Sequence, residues 1–213
     1  WHGSAKNYPV QDFDETCAYV AKQIQRAVGN QPYFLVGYSL GGRIALYYAL
    51  YSQQEKYNLQ GLIIEGGNLG LCDEEEKKVR WKNDVFWAQR FSRETAKSVL
   101  NDWYQQAVFA HLTEGQCKAL IEQRQINCGD NIAQMLLATS LAKQPDLRPY
   151  VKNSPYPIYY FCGERDHKFK QMALDNQLNL SVIPNAGHNA HQENPMVFAV
   201  QLNALLRDKF IAF

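Results

Sequence analysis

A short β-prone run, Tyr33-Phe34-Leu35-Val36, enters Gly37-Tyr38-Ser39-Leu40-Gly41, and Leu40 to Tyr51 then reads as a helix. This strand–GxSxG–helix junction constrains the fold more than any other stretch of the chain. An apolar run without alternation reads as a strand buried on both faces, which belongs in a parallel sheet. The turn between strand and helix is sharp enough to need small residues on either side of the serine. It also sets Ser39 at a helix N-terminus, where the Leu40 amide can stabilise negative charge. Five positions alone are a weak signal, and a glycine-rich turn also suits nucleotide-binding folds. Those carry GxGxxG, or GxxxxGK followed by Ser or Thr, and neither pattern occurs here.

Around that junction the hydrophobic period switches between those of helix and strand. From Asp12 or Asp14 to Val28, the residues Phe13, Cys17, Val20, Ala21, Ile24, Ala27 and Val28 keep helical spacing, with Gly29 just beyond the end. Leu62-Ile63-Ile64 reads as a second buried strand. From Asp73 to about Lys143 the pattern is helical only, in four stretches: 74–90, 93–106, 113–125 and 131–142. Strand signals return at Ile158–Cys162 and Leu180–Ile183, before a last helix from Pro195 to Phe210. This order predicts an α/β fold, a mostly parallel sheet with helices on both faces. The core then covers 1–72 and 146–213, with an inserted helical cap over 73–145.

A serine hydroxyl becomes an effective base or nucleophile only when an imidazole accepts its proton and a carboxylate orients that imidazole. Gly163-Glu164-Arg165-Asp166 directly follows the third strand, and Gly187-His188 follows the fourth. Both therefore project from C-terminal strand ends, where sites on open parallel sheets lie. Ser39, Asp166 and His188 are the expected catalytic residues, in the chain order serine, acid, histidine. Glu164 is the neighbouring alternative acid. His167 reads as a loop residue and His191 as a locally bonded histidine at the start of a helix; His2 and His111 have no supporting context.

Arg43 lies four residues after Ser39 on the same helix face, and helical side chains lean back toward the N-terminus, so it can reach the serine's pocket. Arg80, Arg90 and Arg124 fall in the cap. Any one such arginine is more often solvated than a ligand. Several over one pocket suit a small molecule with more than one carboxylate, which guanidinium binds bidentately. Trp103 and Tyr104 could line the same roof, although an aromatic pair on an amphipathic helix is more often core.

Composition removes other classes. A net charge of +1 offers no basic excess for nucleic acid. The five cysteines are widely spaced with no CxxC pair, which argues against a disulfide framework or a zinc site. No apolar stretch approaches the roughly 18 residues of a membrane span, and no signal pattern opens the chain. Together these features favour a cytoplasmic protein.

The runs GYSLGGRIAL (37–46), RWKNDVFWAQRF (80–91), DWYQQAVFAHL (102–112), MLLATSLAKQPDL (135–147), FCGERDHKF (161–169) and IPNAGHNAHQENP (183–195) carry a resemblance. They resemble the 2-succinyl-6-hydroxy-2,4-cyclohexadiene-1-carboxylate synthases of menaquinone biosynthesis. The similarity extends through nearly the whole chain, and the cap runs are far more specific than GxSxG. It implies an α/β-hydrolase fold and a lyase that eliminates pyruvate without cofactor or metal. It implies a triad of Ser39, Asp166 and His188 and carboxylate-binding arginines at Arg43, Arg80 and Arg124. It further implies substrate contacts at Tyr38, Trp103, Tyr104 and the Leu40 amide.

The chain departs from that family at its start. Members begin with a strand and a His-Gly loop that supplies a second oxyanion amide, whereas Trp1-His2-Gly3-Ser4 resembles the tail of a later segment. The first strands and that amide are therefore expected upstream of Trp1, and the 213 residues alone to be poorly stable and nearly inactive. Two rival readings stand beside the lyase: a serine esterase or thioesterase acting on a small carboxylate-bearing substrate, and a binding module that merely keeps the triad. The triad by itself does not separate them.

Overall fold

The computed structural model describes residues 8–210, apart from the side chains of 208–210; the Trp1–Ser4 expectations lie outside the described residues. Asp12 accepts the Glu15 N–H and starts α1 (Phe13–Val28), which Gly29 closes at φ 56°. Then follow β1 (Tyr33–Tyr38), α2 (Leu40–Leu50) and β2 (Leu59–Glu65). The helical stretch comprises α3 (Glu74–Arg93), α4 (Ala96–Trp103), a 3-10 turn at Ala107–Phe109, α5 (Glu114–Arg124) and α6 (Gly129–Ala138). The chain continues through α7 (Arg148–Lys152), β3 (Ile158–Gly163), α8 (His167–Asp175), β4 (Asn179–Ile183), α9 (Ala190–Glu193) and α10 (Pro195–Phe210).

The four strands lie parallel in the order β1-β2-β3-β4. Alternate residues of one strand serve opposite faces. Leu62, Ile64, Tyr160 and Cys162 pack with residues of α1, α2 and α8, whereas Ile63, Tyr159, Phe161 and Ile183 pack with residues of α9 and α10. The central strands β2 and β3 are buried on both faces, which is why they read as continuous apolar runs, whereas β1 leaves Val36 51% exposed. A separate apolar cluster holds α3–α6 together around Trp87, Phe91, Leu100, Tyr104 and Leu120.

Two expected helices end differently from their sequence patterns. The 93–106 stretch is divided: α3 runs on to Arg93, then Thr95 accepts the Ser98 N–H and starts α4, which stops at Trp103. The 131–142 stretch ends at Ala138: Thr139 leaves helical geometry at φ −113° and ψ 29°, and Arg43 donates to its carbonyl. The short helices α7 and α9 carry too few residues to show a period. No helix among the described residues is long and apolar enough to cross a membrane.

Candidate active site

Because β1 ends at Tyr38 and α2 begins at Leu40, Ser39 alone makes the turn, with φ 49° and ψ −109°. A non-glycine residue with positive φ is strained by about 1–3 kcal/mol and persists only under constraint. Here the Ser39 N–H donates to the Glu65 carbonyl at 2.7 Å, and the Arg43 N–H donates to the Ser39 carbonyl at 3.0 Å. Gly37 allows the helix to pass close by: a Cβ there would lie 2.5 Å from the Gly41 carbonyl oxygen. The first amides of α2, Leu40's included, have no intrahelical acceptor and form the positive end of the helix dipole.

His188, after β4, brings Nε2 to 3.1 Å from Ser39 Oγ and Nδ1 to 2.8 Å from Asp166 Oδ2. Asp166, after β3, also caps α8 by accepting the Phe169 N–H at 3.4 Å. Phe169 stacks on the imidazole at 4.9 Å between centroids. Gly66, at φ 57°, approaches the ring so closely that a Cβ would lie 2.7 Å from His188 Cε1. With Nδ1–H donating to Asp166, Nε2 is left to accept the serine proton.

A cavity of ≈ 570 Å³ adjoins this triad. Ser39, Leu40, Arg43, Arg80 and Trp103 line it, so five of the residues singled out in the sequence meet there with Asp166 and His188. Its lining holds four cationic side chains, Arg43, Arg80, Arg165 and Lys168, against one carboxylate, Asp166, which is already bonded to His188. Arg43 is buried and donates through Nη1 to the Thr139 carbonyl (2.9 Å) and Gln144 Oε1 (3.3 Å), both neutral. Burial, and next the neighbouring Arg80, push its guanidinium down to about 9, which leaves it charged at neutral pH. Arg80 spends Nε on the buried Asp84, at 2.9 and 3.0 Å from its two oxygens. Such a cavity attracts an anion.

An α/β-hydrolase-fold family profile matches residues 2–195. The Serratia proteamaculans 2-succinyl-6-hydroxy-2,4-cyclohexadiene-1-carboxylate synthase is 45% identical over 205 residues, covering 96% of this chain and 79% of its own length. A Haemophilus influenzae relative, provisionally named for the same synthase, is 56% identical over 97% of this chain and 84% of its own. The chain belongs to this synthase family. Its α/β-hydrolase fold is that of MenH from S. aureus, which superposes with a TM-score of 0.86 at 24% identity over 97% of this chain and 79% of that one.

Tyr38, Tyr104 and Arg124, which the synthase resemblance also singles out, are not among the residues lining this cavity, although Tyr104 and Arg124 lie close enough to Tyr38, beside Ser39, to act on its phenol. Tyr104 is buried in the cap and its ring packs on cavity-lining Phe109 at 4.9 Å. Arg124 donates to the Tyr104 hydroxyl and lies over its ring, 5.8 Å from the centroid. Tyr38 packs against His188 and His191, with centroids 5.3 and 4.8 Å away. Arg90 is turned to Glu94 and Asp102. Glu164 accepts the Asn185 N–H at 3.0 Å.

Three histidines need correction. His191 is not locally bonded: its N–H and its ring Nδ1 meet Glu65, 126 positions away at the end of β2. His167 is the first residue of α8 rather than a loop residue, because Asp166 caps that helix. His111 lines the cavity, as does His167. Asn68 and Phe169 line it too and had no motif to mark them, although both follow strand ends, the signal that located Asp166 and His188. Among the described residues no group of three His, Cys, Asp or Glu side chains is placed to hold a metal.

Proposed function

We propose that this chain eliminates pyruvate from 2-succinyl-5-enolpyruvyl-6-hydroxy-3-cyclohexene-1-carboxylate, giving 2-succinyl-6-hydroxy-2,4-cyclohexadiene-1-carboxylate for menaquinone biosynthesis. The observation that carries the reading is Arg43: a buried guanidinium on the cavity wall, one helical turn from Ser39, anchored among the described residues to neutral acceptors. Its charge is available to a carboxylate of a polyanionic substrate, whereas Arg80, paired through Nε with Asp84, adds hydrogen-bond donors more than net charge.

In this reading Ser39 Oγ passes its proton to His188 Nε2 and removes the ring proton next to the succinyl carbonyl. The resulting enolate oxygen is held by backbone amides, Leu40's among them. Its electrons return through the ring double bond and the C–O bond to the enolpyruvyl group breaks. The proton on His188 passes to the departing enolate, giving pyruvate and restoring both side chains. No acyl-enzyme forms. Arg43 and Arg80 are the proposed carboxylate ligands. Arg124, which donates to the Tyr104 hydroxyl, is the third proposed carboxylate ligand.

Pyruvate release from the pathway substrate tests the proposal. It is expected with the full-length protein, and is expected to fall by on the order of a thousandfold or more in Ser39→Ala. No pyruvate, together with a stoichiometric burst on an activated ester, would establish the esterase chemistry instead.

A further inference from the structure

We propose that Gln144 is a positioning residue: it fixes Arg43 through an uncharged acceptor and so leaves the guanidinium's charge to an incoming carboxylate. The inference rests on the reading of Arg43 as an anion contact. Gln144 is 1% exposed, and both ends of its amide are engaged. Its Oε1 accepts from Arg43 Nη1 at 3.3 Å, and its Nε2 donates to the Asn68 carbonyl at 2.9 Å. It thereby joins Arg43 on α2 to the loop after β2, from a position just beyond the cap helices.

The choice of acceptor is what matters. Arg80, Arg90 and Arg148 each bond a carboxylate: Asp84, Glu94 with Asp102, and Asp146. Arg43 is more buried than any of these and has no carboxylate partner among the described residues. The charges that act on it are Arg80 and, less strongly, Asp84, whose carboxylate is already bonded to Arg80; a buried cation compensated so weakly is unfavourable unless something else is to neutralise it. A carboxylate in place of the Gln144 amide would close an internal ion pair and compete with the substrate; the amide supplies the hydrogen bond without the charge. The same returning segment serves Arg80, since Ser140 Oγ donates to Asp84 at 2.7 Å and Asp84 holds Arg80.

Two substitutions separate charge from packing, read by calorimetric binding of succinate as a simple dicarboxylate. Both remove the donor to Asn68, but only Gln144→Glu adds a charge. Succinate affinity is expected to fall at least about tenfold in Gln144→Glu and no more than about threefold in Gln144→Met. The KM for the pathway substrate should rise in parallel in Gln144→Glu, with kcat much less affected. A merely structural residue predicts the reverse ranking. A loss in Gln144→Met that equals or exceeds the loss in Gln144→Glu overturns the inference, as does failure of the unsubstituted chain to bind succinate. If Gln144→Glu does not fold, Gln144→Met decides alone, because abolished succinate binding there also overturns it. Pyruvate release is scored separately, so an anion site that responds as expected in a chain releasing no pyruvate refutes the reaction and keeps the role of Gln144.

Discussion

At the scale of single residues, the site is a contest between charges that are cancelled and charges that are not. Asp166 is satisfied by His188 and by the first turn of α8, whereas Arg43 is held by a carbonyl and an amide and faces the cavity. Arg43→Ala should therefore lower kcat/KM by about 10- to 100-fold, the equivalent of roughly 1.5–3 kcal/mol for a charged hydrogen-bonded contact. Arg124→Ala should cost less, because that guanidinium is already engaged by the Tyr104 hydroxyl and ring. Steady-state kinetics of the two variants measure the ranking; equal losses would show Arg124 to hold substrate as firmly as Arg43 does. The triad positions were legible because each lies beside a strand end, a signal local to the sequence. The partner of His191 was not, since Glu65 lies 126 positions away and only folding brings the two together.

At the scale of elements, the β1–α2 junction is the most demanding feature. A methyl group on Gly37 would meet backbone atoms of Gly41 and Gly42 at 2.5–2.7 Å, and backbone cannot step aside as a flexible side chain can. Gly37→Ala is expected to destabilise the fold by about 1–3 kcal/mol or more, seen as a lower urea midpoint; an unchanged midpoint would show that the elbow can relax. Strands and long helices were legible because their periods repeat. Helix ends were less so. The 93–106 stretch hides a restart at Thr95, and just past the end of α6 the Arg43 guanidinium donates to the Thr139 carbonyl, a favourable place for a cation that depends on a residue 96 positions earlier.

At the scale of the whole molecule, burial sets an alkaline limit. Burial pushes the Cys17 and Cys162 thiols up to about 12, and it also raises the Tyr38, Tyr47, Tyr48 and Tyr160 phenols above their usual range. Unfolded, these groups ionise near 9.0 and 10.0. Arg43 and Lys56, lowered by burial, act in the opposite sense, but the six raised groups outnumber them, so above about pH 9 the unfolded chain binds fewer protons than the folded one and stability falls as pH rises. Thermal melts should show Tm declining steadily from about pH 9 upward; a Tm that held or rose to pH 11 would contradict this. The sequence by itself determined the α/β order, the elbow at Ser39 and the chain positions of Asp166 and His188, because hydrophobic period and turn chemistry are local properties. Only the tertiary structure decided which arginines face the cavity, that Arg124 pairs with Tyr104, and that Arg43 is anchored by neutral groups. Those outcomes depend on side chains from distant segments competing for the same buried hydrogen bonds, and no local pattern encodes that competition.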